Sequence, residues 1–270
     1  MSELKRSEAP RGKGIYLLPN LFTTAGLFSG FYAVIASMQG HFTAAAVAVF
    51  VAMLFDSLDG RIARMTNTQS AFGAEYDSMA DMVSFGIAPA LVSYNWALAG
   101  LGKVGWLAAF IYAVGAALRL ARFNTQVGIA DKRYFQGLAS PAAAAIVVGL
   151  VWVGSDFDVD GRNISWLATI VTLLSGLLMV SNFRYPSFKE FEWKEKVSFL
   201  AILIVVGILV VVSLQPALVL FTVFTLYALS GPVITIRSVK ELKMEHVVGD
   251  NDDADFDSDK DEPADEENKS

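Results

Sequence analysis

Apolar residues in this chain run in long blocks, without the period-two alternation of half-buried strands. A helix of about 20 mainly apolar residues crosses roughly 30 Å of hydrocarbon. Blocks of that kind extend over Leu17–Met38, Phe42–Met65, Phe72–Ala99, Val104–Phe123, Phe135–Gly154, Ile164–Asn182, Val197–Leu214 and Pro216–Ile236. The pattern predicts an all-α integral membrane protein with about eight transmembrane helices. Pro141 falls inside the fifth block, whose apolar run is short, so seven spans or one broken helix are the alternatives. No A-x-A-like cleavage site precedes the first block, which predicts a retained helix rather than a signal peptide.

Lys and Arg alternate with these blocks. Lys5, Arg6, Arg11 and Lys13 precede the first, Arg61 and Arg64 end the second, and Arg119, Arg122, Lys132 and Arg133 follow the fourth. Arg184, Lys189, Lys194 and Lys196 follow the sixth, and Arg237, Lys240 and Lys243 the eighth, whereas the other side holds only Lys103 and Arg162. The bias predicts that both termini are cytoplasmic and favours an even number of spans. The expected organisation is a basic N-terminus over 1–16, a membrane domain over 17–238 and an acidic tail over 247–270.

Composition sharpens that picture. Hydrophobic residues make up 54% and charged residues 18%, against roughly a quarter charged in an average soluble chain. The net charge of −6 belongs to the tail, where eleven Asp and Glu stand against Lys260 and Lys269 between Asp250 and Ser270. The rest of the chain is therefore basic, and the tail, almost without apolar residues, is expected to be disordered. The absence of cysteine excludes disulfides, thiolate metal sites and cysteine nucleophiles.

Against this apolar background, Asp56, Asp59, Asp77 and Asp81 are out of place. An ionised carboxylate at mid-bilayer costs at least about 2.5 kcal/mol and implies a compensating partner. At 100° per residue, Asp56, Asp59, Gly60 and Ala63 share one face of the second helix, and Gly73, Asp77, Ala80, Asp81 and Ser84 share one face of the third. A short connection makes the two helices antiparallel, so the acidic stripes can meet, with small residues allowing close approach. Four converging carboxylates repel unless cations intervene, and an all-oxygen set suits Mg²⁺, Mn²⁺ or Ca²⁺. The alternative is that the aspartates pair with Arg61, Arg64, Arg119 or Arg122 and cap helix ends. Zinc fits less well, because the histidines are His41, at the far end of the second helix, and His246 in the tail. Carboxylates, divalent metal and nearby arginines together are suited to diphosphate chemistry.

The run D-x2-D-G-x2-A-R-x8-G-x3-D-x3-D, filled here by Asp56, Asp59, Gly60, Ala63, Arg64, Gly73, Asp77 and Asp81, resembles the signature of the CDP-alcohol phosphatidyltransferases. Further segments resemble the branch of that family whose acceptor is L-serine: Pro19-Asn20-Leu-Phe-Thr23, Val83-Ser84-Phe85-Gly86-Ile-Ala-Pro89, Leu118-Arg119-Leu-Ala-Arg122-Phe123-Asn124 and Gly137-Leu-Ala-Ser140-Pro141. Met179 to Lys189 belongs to the same likeness. One departure is Ala139, where that branch is expected to carry proline.

The resemblance implies an integral membrane transferase that moves a phosphatidyl group from CDP-diacylglycerol to an alcohol and releases CMP. It also implies Mg²⁺ or Mn²⁺ on Asp56, Asp59, Asp77 and Asp81, with Asp81 also the catalytic base, and a homodimer in membrane lipid. Gly60, Arg64, Gly73, Asn20 and Thr23 are the expected CDP and phosphate contacts, although Asn20 and Thr23 can equally satisfy backbone groups at a helix start. L-Serine carries a carboxylate, for which Arg119 and Arg122, with Lys132 and Arg133, supply fixed cations; positive-inside bias alone is the alternative. The active site is expected at the cytoplasmic face of a bacterial cytoplasmic membrane, with no nucleic-acid partner. Competing readings are another acceptor (glycerol 3-phosphate, inositol phosphate or choline) or a divalent-cation transporter, which would spread polar residues through the membrane depth.

Overall fold

The computed structural model describes residues 17–126, 134–186 and 199–257. Lys132, Arg133, the basic N-terminus, Lys189, Lys194, Lys196 and the last part of the acidic tail lie outside the described residues. In chain order the elements are α1 (Leu17–Met38), α2 (Phe42–Thr66), α3 (Ala71–Leu101), α4 (Lys103–Gln126), β1 (Tyr134–Gln136), α5 (Ser140–Asp156), α6 (Ser165–Val180), β2 (Arg184–Pro186), α7 (Phe199–Leu214) and α8 (Pro216–Asp257). α1 to α4, the stretch Gly161–Val180 that includes α6, and Pro216–Ile236 of α8 are each long and apolar enough to cross a membrane. The chain is thus an all-α integral membrane protein. α5 and α7, with 17 and 16 residues, are shorter.

The fifth predicted block needs correction. Phe135 lies in strand β1, and the helix begins only at Ser140, with Pro141 in its first turn, where the missing proline N–H leaves nothing unpaired. Gly137, at φ +78°, turns the chain between the two. Its N–H donates to Phe183 O at 2.9 Å, and the Leu138 N–H donates to Leu178 O at 3.0 Å. With β1 antiparallel to β2 (Phe135 opposite Tyr185), these bonds fasten the start of α5 to the end of α6.

Two further differences follow from proline and from length. α3 is a single helical run that widens twice into π-helical turns, over Met82–Ile87 and Tyr94–Leu98. α8 contains Pro232 and is helical to Asp257, into the segment for which the sequence predicts disorder. Proline removes the donor that would pair with the carbonyl four residues earlier. In α8 that carbonyl belongs to Ala228, and it accepts from the Tyr185 hydroxyl at 3.0 Å. The Tyr185 ring lies 5.4 Å from that of Tyr227, and burial, with help from Tyr227, pushes its phenol up to about 12, so it remains a donor at physiological pH.

Lipid tails are as apolar as leucine, so helix association here rests on close fit. α1 packs along both α2 and α3, α4 packs on α6, and α5 sits between α2 and α8. The seams are lined with small side chains, including Ala33 and Ala36 on α1 and Ala45, Ala46, Val49 and Ala52 on α2. Large side chains such as Phe28, Phe31, Leu54, Phe110, Trp166 and Leu174 point outward, as a lipid-facing surface requires.

Candidate active site

The two acidic stripes meet toward the C-terminal end of α2 and in the first turns of α3. Ser70 starts α3: its hydroxyl accepts from the Gly73 N–H at 3.0 Å, satisfying one of the free donors of the first turn. α2 ends on Asn67, at φ +51°. The reversal brings Asp77 back toward Asp56 and Asp59, and one carboxylate oxygen from each of the three lies within 4.8 Å of the others. Asp81, one turn beyond Asp77, stands beside Asp56 within side-chain hydrogen-bonding reach. α1 packs along both helices of the pair, and α2 also meets α3 directly over Met82–Ser93. Thr23, Gly26, Ala80, Ser84 and Phe85 are among the residues that line the narrow cavity between the carboxylates.

Asp59 is only 5% exposed, so its charge has to be met locally. The Thr23 hydroxyl lies 2.7 Å from Asp59 Oδ2 and 3.2 Å from Pro19 O; having one proton, it donates to the nearer oxygen. With the Gly60 N–H, which also meets this carboxylate, these neutral donors leave most of the negative charge uncompensated. The set is all oxygen, partly buried and convergent, which fits a hard divalent cation. His41 precedes α2, about 27 Å along the helix from Asp59 at 1.5 Å per residue, and is no ligand here.

Other expected site residues are placed as follows. Asn20 lies beside Gly73, and Gly60 has open space around its Cα. Arg61 and Arg64, in the last turns of α2, are exposed rather than buried against the aspartates. Arg119, near the end of α4, hydrogen-bonds the buried Ser140 at the start of α5, and its charge acts on Asp81 and Asp56. Arg122 reaches Asn182 Oδ1 at 3.4 Å, so it lies at the α4–α6 end rather than among the carboxylates. Asn124 donates to Ser78 Oγ at 3.0 Å and ties α4 to α3. The stripes were legible from helical spacing. The Arg119–Ser140 contact joins distant segments, and nothing local in the sequence signals it.

Residues 16–177 match the family described as CDP-alcohol phosphatidyltransferase. The chain belongs to this family. Among CDP-alcohol phosphatidyltransferase relatives, a Helicobacter pylori protein named CDP-diacylglycerol-serine O-phosphatidyltransferase is 36% identical over 215 residues, covering 80% of this chain and 90% of its own length. A Mycobacterium tuberculosis protein of the same name is 34% identical over 177 residues, covering 63% of this chain and 61% of its own length. The archaetidylserine synthase of Methanothermobacter thermautotrophicus is 33% identical over 171 residues, or 63% of this chain and 69% of its own length.

Proposed function

We propose that this CDP-alcohol phosphatidyltransferase moves the phosphatidyl group of CDP-diacylglycerol to L-serine, giving phosphatidylserine and CMP. The observation that carries the reading is the convergence of Asp56, Asp59 and Asp77 beside Asp81, in a chain similar over 80% of its length to a serine transferase. Asp56, Asp59 and Asp77 would hold Mg²⁺ or Mn²⁺, which neutralises charge on the diphosphate when bound. Gly60 leaves room for that diphosphate and Gly73 lets Asn20 lie close, with Thr23 beside Asp59, while the exposed Arg64 faces the solvent side from which CMP departs. The acyl chains stay in the bilayer between helices.

Asp81 accepts the serine hydroxyl proton as the oxygen attacks the β-phosphorus and the bond to the CMP oxygen breaks. Arg119, held by Ser140 and close enough for its charge to act on Asp81, places a cation for the serine carboxylate next to the base. Arg122 lies on the same end of α4 and extends that positive field. In this reading the site faces the cytoplasm of a bacterial cell, the chain spans the membrane eight times with both termini inside, and the protein works as a homodimer. The basic residues on that side support the orientation.

The test is CMP release by purified protein in lipid. The reading requires that release depend on both CDP-diacylglycerol and serine, with a labelled serine product. Release driven instead by glycerol 3-phosphate, inositol phosphate or choline would replace the acceptor. Divalent-cation flux in proteoliposomes without CMP release would replace the reaction class.

A further inference from the structure

Immediately after Asp81, α3 leaves α-helical geometry. Over Met82–Ile87 the helix is π, and the Ala88 N–H donates to Val83 O, five residues back. Pro89 accounts for the disturbance: having no N–H, it leaves the Phe85 carbonyl without a partner four residues on. In a water-free interior such a group has to be satisfied by another part of the protein. The Tyr112 hydroxyl of α4 does so, donating to Phe85 O at 2.9 Å from a fully buried position. On the other side, the Ser84 hydroxyl donates to Gly26 O of α1 at 3.1 Å. α1 can come this close because of Gly30, where a Cβ would stand 2.7 Å from Ser84 Cα.

α1, α3 and α4 are thus fastened together at the turn that carries Asp81 into the packed half of α3. A π turn inserts a residue into the helical phase, and each residue is worth 100° of rotation. The place where the turn sits therefore sets the direction in which Asp77 and Asp81 leave α3, relative to the half of the helix anchored by Ala88, Val92 and Trp96 in the core. We propose that Tyr112 and Ser84 are positioning residues for Asp81: they pin the π turn and so hold the Asp81 carboxylate at its place beside Asp56. This rests on the reading of Asp81 as the proton acceptor. Tyr112 lies outside the lining of the carboxylate cavity, and Ser84, which lines it, turns its hydroxyl to Gly26 O; both act through the α3 backbone.

The full-length protein in lipid nanodiscs tests it, with three variants: Tyr112→Phe, which removes one oxygen and keeps the ring, Ser84→Ala, and Asp81→Asn. Turnover and KM for each substrate are read from CMP release, and hydrogen–deuterium exchange is read in the peptide covering residues 82–89. Tyr112→Phe is expected to lower kcat about tenfold or more, to leave both KM values within about twofold, and to speed exchange in that peptide without speeding it in α2. Ser84→Ala is expected to act in the same direction more weakly, and it carries the same readouts if Tyr112→Phe is not recovered. Unchanged kcat in Tyr112→Phe and Ser84→Ala, with Asp81→Asn inactive, overturns the inference alone. So does a joint change of kcat and KM with faster exchange throughout the membrane domain, the mark of a merely structural role. An active Asp81→Asn enzyme overturns the base assignment and this inference with it.

Discussion

At the scale of single residues, the site is a problem of charge placement. Three carboxylates converge, one buried and two half-buried, and the Thr23 hydroxyl and the Gly60 N–H meet Asp59 directly. Arg119 is different in kind, because Ser140 fixes a planar guanidinium that two helices hold between them. Arg119→Lys keeps the charge and loses the fork. We expect it to raise the KM for serine about tenfold while changing the KM for CDP-diacylglycerol little, measured by varying each substrate separately. The four aspartates were legible in the sequence because a carboxylate in an apolar helix is conspicuous and helical spacing fixes its face. Ser140 was not, since a serine beside a proline at a helix start has an adequate local explanation in capping.

At the scale of elements, proline is the residue whose effect depends most on position. Pro141 suits the first turn of α5, and reading it as an interior interruption placed the helix start five residues early, at Phe135. What ended the apolar block was the Gly137 turn and a two-stranded pairing with a segment about fifty residues away, which no local periodicity contains. Ala139, the departure from the expected motif, has φ −61° and ψ 137°, the conformation a proline ring would impose. Ala139→Pro is therefore expected to stabilise the protein by about 0.4–1 kcal/mol through the unfolded chain, seen as a higher midpoint in thermal unfolding in detergent. A lower midpoint would mean that the Ala139 N–H is needed.

At the scale of the whole molecule, the chain divides by charge as well as by hydropathy. The membrane body is basic and the excess of acid is gathered at the C-terminus. An inner membrane surface is anionic, so a basic body is drawn to it while an acidic tail is repelled. Truncation after Asp257 is expected to leave turnover unchanged within about twofold, since residues 258–270, with six acidic residues and two lysines, add only net negative charge to that repulsion. Removing divalent ions with a chelator is expected to abolish CMP release and to leave the helical circular dichroism signal in place, with Mg²⁺ or Mn²⁺ restoring activity. Loss of helix together with activity would assign the ion a structural role instead.

The meeting of Tyr185 with the Ala228 carbonyl, released by Pro232, has a consequence for how such a chain can change over generations. Proline and hydroxyl are two halves of one arrangement: the first creates an orphan acceptor and the second supplies its donor. Losing the tyrosine oxygen alone strands a buried carbonyl, at about 1–3 kcal/mol, whereas losing the proline first returns the ordinary helical donor and makes the oxygen redundant. The order of substitutions then matters. Tyr185→Phe is expected to be costly in the parent chain and nearly silent after Pro232→Ala, a coupling that a double-mutant cycle of unfolding midpoints measures directly. Lineages would cross this position by way of the proline and seldom by way of the tyrosine.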